Sequence, residues 1–95
     1  MLLLELGMPV SAGLELADRI HAQWPRVPIL VLSMHIDAVI VDAALRVGAS
    51  GYVAKDSDPE VLVAALRRLA GGGRYVDPGI ATGIQPARAP PDLGR

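Results

Sequence analysis

The sequence predicts an α/β fold in which a small parallel sheet is covered by helices. Three observations carry this. The apolar runs LLLEL (2–6), PILVLS (28–33) and GYVA (51–54) do not alternate polar with apolar residues, the habit of parallel strands buried on both faces. Helical patterns lie between and after them, so the order is β-α-β-α-β-α, with connections short enough for right-handed crossovers. Composition agrees: 52% of residues are hydrophobic but only 3% aromatic, with no Phe. An aliphatic core of that kind suits helices on a sheet better than a β-sandwich.

The elements follow in order. The first helix is expected over Gly13 to Trp24, with Leu16, Ile20 and Trp24 on one stripe beside Ala17. Glu15, Asp18, Arg19 and Gln23 take the other side, and Pro25 stops the helix. The second is expected from Asp37, as N-cap, to Val47, with Gly48 as its stop. Val39, Ile40 and Val41 are consecutive, so they cannot all face the sheet and one of them is expected in an exposed patch. The third helix starts at Asp58 with Pro59 in its first turn and Glu60 at the positive helix end. It runs through Leu62, Ala65, Leu66 and Leu69 and breaks at Gly71 to Gly73. From Asp77 onward the proline-rich segment has no sustained period and reads as a disordered tail or linker stub. The expected division is a domain over residues 1–76 and a tail over 77–95.

Composition excludes several functions. Ninety-five residues allow one small domain. Lys and Arg number 9 against 10 Asp and Glu, for a net charge of -1, which is no footprint for nucleic acid. The absence of cysteine removes disulfides, cysteine-ligated zinc and thiol catalysis. The start carries no basic leader, and Glu5 interrupts its apolar run, so no signal peptide is expected. No stretch is long enough to span a membrane. The expected location is the cytoplasm.

In open parallel sheets, chemistry gathers beyond the carboxyl ends of the strands. Those ends carry Glu5, Ser33 and Lys55. A carboxylate, a hydroxyl and an ammonium at one rim could bind a phosphoryl group, or could simply be polar strand ends.

The surrounding residues add to this. ELGMPVSAG (5–13), VPILVLSMH (27–35) and GASGYVAKD (48–56) resemble the second half of a response-regulator receiver domain. HAQWPRVP, Lys55 followed by Asp56, and AGGGRYVDP resemble the subgroup fused to LuxR-type helix-turn-helix domains. The resemblance covers residues 2 to about 77. It implies a truncated flavodoxin-like fold in a two-component phosphorelay, with a sensor histidine kinase as partner. In that family an aspartate at the position of Glu5 accepts the phosphoryl group. Ser33 would hydrogen-bond that group, Lys55 would pair with its charge, and Tyr52 would be the switch aromatic.

Two departures from the family matter. The acceptor position holds Glu5, longer by about 1.5 Å, in chemistry where about 1 Å of misplacement can cost 10²-fold. The family's first two strands and helices have no counterpart, nor has the acidic pair that binds Mg²⁺, so no cofactor is expected. Glu5 is then an inert strand-end charge or a weak imitation of phospho-aspartate, which carries nearly twice its charge. With that machinery broken, Tyr52 reads first as a half-buried strand aromatic.

Other residues read plainly. His35 near Ser33 invites a nucleophile–base pairing, but no G-x-S-x-G surrounds the serine. His21 reads as a solvated surface residue, and two histidines so placed make no metal site. Gly7 and Gly13 are expected to serve the turn after the first strand.

The expectation is therefore a degenerate, truncated receiver module that acts by protein contact and is not an enzyme. The other readings are a metal-assisted enzyme that accepts phosphate on an acidic residue, and a gene fragment without function. In the family's strand order, 2-1-3-4-5, the Leu2–Leu6 strand is central. Losing its neighbours turns it into an edge, so self-association is expected through Leu2–Leu4 or through the Asp37–Val47 helix face.

Overall fold

Each apolar run forms a strand in the computed structural model, which describes residues 1–80. The strands are β1 (Leu2–Leu6), β2 (Ile29–Ser33) and β3 (Gly51–Ala54), all parallel. Helices α1 (Val10–Gln23), α2 (Ala38–Arg46) and α3 (Pro59–Ala70) follow them in turn. Sequence predicts three strands, and the sheet has four. Tyr75–Val76 forms β4, parallel to β3, with Gly51 beside Tyr75 and Tyr52 beside Val76. Two residues are too few for any periodicity to register. Spatial order equals chain order, β1-β2-β3-β4.

Register decides which residue faces which layer. Leu2 pairs with Ile29, Leu4 with Val31 and Leu6 with Ser33. Side chains alternate across a strand, so these residues share one face with Tyr52 and Ala54. That face meets α1 and α2, and its core gathers Leu6, Ile29, Val31, Val41, Ala44, Ala49 and Tyr52. The opposite face carries Leu30 and Val53 under Ala65 and Leu69 of α3. There α3 reaches β2, β3 and β4, while Leu3 on β1 stays 52% exposed. The outer side of β1 pairs with no strand among the described residues.

The helices depart from expectation in detail. Helix α1 begins three residues before Gly13, so that glycine lies within the helix and not in the turn. A Cβ there would come within 2.3 Å of Leu6 Cδ2, so the missing side chain lets α1 lie close to β1. The buried stripe of α1 is also displaced. Val10, Leu14 and Ile20 pack against the core that holds Leu6, and Ala17 is buried as expected, while Leu16 and Trp24 are exposed. Asp37 and Asp58 stand at the expected caps of α2 and α3 with extended backbone, but neither side chain makes a capping hydrogen bond. Val41 is buried and Val39 exposed, as three consecutive apolar residues require.

The packed chain runs past the expected boundary at residue 76. Asp77 and Ile80 are both buried, and 78–80 take helical backbone. The rest of the expected tail, 81–95, lies outside the described residues.

Candidate functional site

The rim beyond the strand ends is built by three loops. Glu5 leaves β1 on the face opposite Leu6, Lys55 follows the last residue of β3, and both side chains are substantially exposed. The Lys55 Nζ donates to Glu5 Oε2, closing an ion pair across the mouth of the sheet. The Lys55 backbone is tied to β2 as well, its N–H donating to the Ser33 carbonyl at 3.0 Å.

Ser33 does not join the pair. It stands opposite Leu6, on the helix-covered side of the pleat, and is fully buried. Its Oγ accepts the His35 N–H at 2.9 Å, which pins the start of the loop into α2. Tyr52 lies on the same face and is also fully buried, not half-buried as expected. Its hydroxyl donates to the His35 carbonyl. Burial pushes the Tyr52 phenol above its ordinary 10.0, a hydrogen bond with Ser33 works against that rise, and the Asp37 carboxylate adds to it. Ser33, His35 and Tyr52 therefore form one inward cluster, while Glu5 and Lys55 form an outward pair. His35 takes part through its backbone, which gives no support to a nucleophile–base pairing with Ser33.

Sequence reasoning missed Asp77. Its Oδ2 accepts the Ala54 N–H at 3.2 Å and the Ser57 hydroxyl, and its Oδ1 accepts the Gly79 N–H at 3.0 Å. Ala54 and Ser57 bracket Lys55, so a buried carboxylate grips the loop that presents the lysine. An Asp-Pro pair after a short apolar run was the only available signal, and it reads equally well as a linker.

The family that the sequence resembles places a magnesium ion at this rim. Among the described residues, no three His, Asp or Glu side chains converge to hold a metal. Glu5, the carboxylate at the acceptor position, is turned to an ammonium, which repels a cation. These residues do not fit a divalent ion.

A parallel sheet with an acidic residue, a hydroxyl and a lysine at successive strand ends is in keeping with the response-regulator receiver domains, and the chain belongs to that family. Residues 1–67 match the family described as response regulator receiver domain. Among curated relatives, the chain is 38% identical over 77 residues to the transcriptional regulatory protein DegU of Brevibacillus brevis, covering 81% of this chain and 33% of that protein. It is 41% identical over 81 residues to the methanol utilization control regulatory protein MoxX of Paracoccus denitrificans, covering 85% and 36%. It superposes on a crystal structure of a LuxR-family two-component response regulator from Aurantimonas sp. SI85-9A1 with a TM-score of 0.82 at 35% identity, covering 90% of this chain and 61% of that one. The chain thus spans about a third of the length of the two regulators it matches. It is a short receiver-domain sequence of the two-component response regulators.

Proposed function

We propose that this receiver works by protein contact and not by accepting a phosphoryl group. The observation that carries the reading is the Glu5–Lys55 ion pair. In the family, the lysine neutralises charge on the phosphorylated acceptor. Here a carboxylate at that position already engages it. Phosphoryl transfer is largely positioning and charge neutralisation, and the longer glutamate, with no cation site assembled among the described residues, is poorly suited to either. The ion pair supports a weak, permanent imitation of the charged acceptor. Ser33, turned inward to His35, contributes nothing to it.

The partners that fit are the sensor histidine kinase of the family and a second copy of this chain. Two surfaces suit a second copy: the β1 edge with exposed Leu3, and the loop into α2 with its first turn, where Met34, Ile36 and Val39 are exposed. No helix of the described residues is long and apolar enough to cross a membrane.

Incubation of the 95-residue chain with acetyl phosphate and Mg²⁺, followed by intact mass, is the test. No phosphoryl adduct is expected on the chain, nor on Glu5→Asp. A stable adduct on either would return the function to phosphoryl acceptance and favour the metal-assisted enzyme.

A further inference from the structure

We propose that Asp77 is a positioning residue for Lys55, a latch that joins the loop carrying the lysine to the chain leaving the sheet. The reach of its carboxylate carries the inference. One oxygen holds Gly79, at the start of the helical turn 78–80. The other holds Ala54 and Ser57, on either side of Lys55. The flanking backbone makes the link short and stiff. The Asp77 N–H donates to the Tyr52 carbonyl at 2.9 Å, and the Ile80 N–H donates to the Asp77 carbonyl at 2.8 Å. Ile80 then drops into the core that holds Tyr52 and Ala54. Only 6% of Asp77 is exposed, so water cannot readily replace these bonds. A displacement of the Lys55 loop is thereby passed to residues 77–80, and a pull on residues 77–80 is passed back. The link is independent of whether Glu5 can be phosphorylated.

A helix cap alone would explain the Gly79 bond, and one substitution separates the two roles. Asparagine caps helices as well as aspartate does. It has only one acceptor oxygen. With that oxygen kept on Gly79, its NH₂ group would face the Ala54 N–H, donor against donor. Asp77→Asn should therefore keep the cap and release the loop.

The experiment is residue-resolved amide exchange and side-chain NMR on the full chain. In Asp77→Asn, the Gly79 amide should keep its protection. The Ala54 amide should exchange at least about tenfold faster relative to Val53, and the Lys55 Nζ signal should shift. Unchanged Ala54 and Lys55 signals would overturn the proposal and leave Asp77 as a cap. Should Asp77→Asn fail to fold, Ser57→Ala removes a single bond at a partly buried residue. It should shift Lys55 and speed exchange at Gly79, on the far side of the carboxylate. No change at Gly79 or Lys55 in that variant would likewise overturn the latch.

Discussion

Lys55 and Ser33 stand one strand apart at the same rim, yet their substitutions should differ in cost. The Lys55 side chain is 40% exposed and its partner Glu5 63%. Solvent screens such a pair, so Lys55→Ala should lower unfolding stability in urea by less than about 1 kcal/mol. Ser33 is fully buried and accepts the His35 N–H. Ser33→Ala strands that donor and should cost about 1–3 kcal/mol. Equal losses would mean that the ion pair is shielded from water. Tyr52 adds a pH dependence. Its folded value lies above that of the unfolded chain because burial disfavours phenolate. The stability it contributes is therefore complete below about pH 10 and is lost as pH rises through the folded value. Tyr52→Phe should flatten the alkaline fall in urea midpoint, and an unchanged fall would clear Tyr52 of it. Glu5 and Lys55 were legible because strand ends can be read from apolar runs. The inward turn of Ser33 was not, since it depends on pairing with Leu6 and on the loop folded over it.

Elements with strong local signals were read closely. The runs 2–6 and 51–54 became strands with those limits, and Pro59 opens α3 as its fixed φ allows. Strand β4 escaped because it is held by neighbours far along the chain, the Tyr75 N–H donating to the Ser50 carbonyl and the Asp77 N–H, just past the strand, to the Tyr52 carbonyl. The misplaced stripe of α1 has a similar cause. Several apolar sets fit one helix, and the approach of Gly13 to Leu6 picks among them. Gly48 shows such a contact sharply. It ends α2 with φ +117, and a Cβ there would meet His21 Cγ at 2.3 Å. His21, expected in open solvent, is in fact half-buried against this turn. Gly48→Ala combines backbone strain with a clash and should cost more than about 1 kcal/mol. Thermal melts of the variant measure it. A loss no greater than that of an ordinary surface substitution would show that the two helices slide apart freely.

Across the whole molecule, the two sides of the sheet end differently. Strand β4 closes one side, and residues 77–80 beyond it turn back onto the loop after β3. The other side is the length of β1. The Leu2 N–H donates to Pro28, so Leu2, Leu4 and Leu6 direct their backbone groups to β2 while Leu3 and Glu5 direct theirs outward. An outward backbone edge beside half-exposed leucines is a template for another strand. Size-exclusion chromatography with light scattering at micromolar concentration should find oligomers, and Leu3→Lys should reduce them. A monodisperse monomer with a sharp, cooperative melt would refute this. The sheet order has a separate consequence, for how such a chain comes together. Leu2 meets Ile29, Leu30 meets Gly51 and Gly51 meets Tyr75, so each pairing closes a span of about 20–30 residues, with similar closure entropy. Among the described residues, no strand is inserted between two already laid down. Residues 1–80 form a staircase: each strand rests on the one before it, and synthesis in chain order presents these strands in the order in which they can be used.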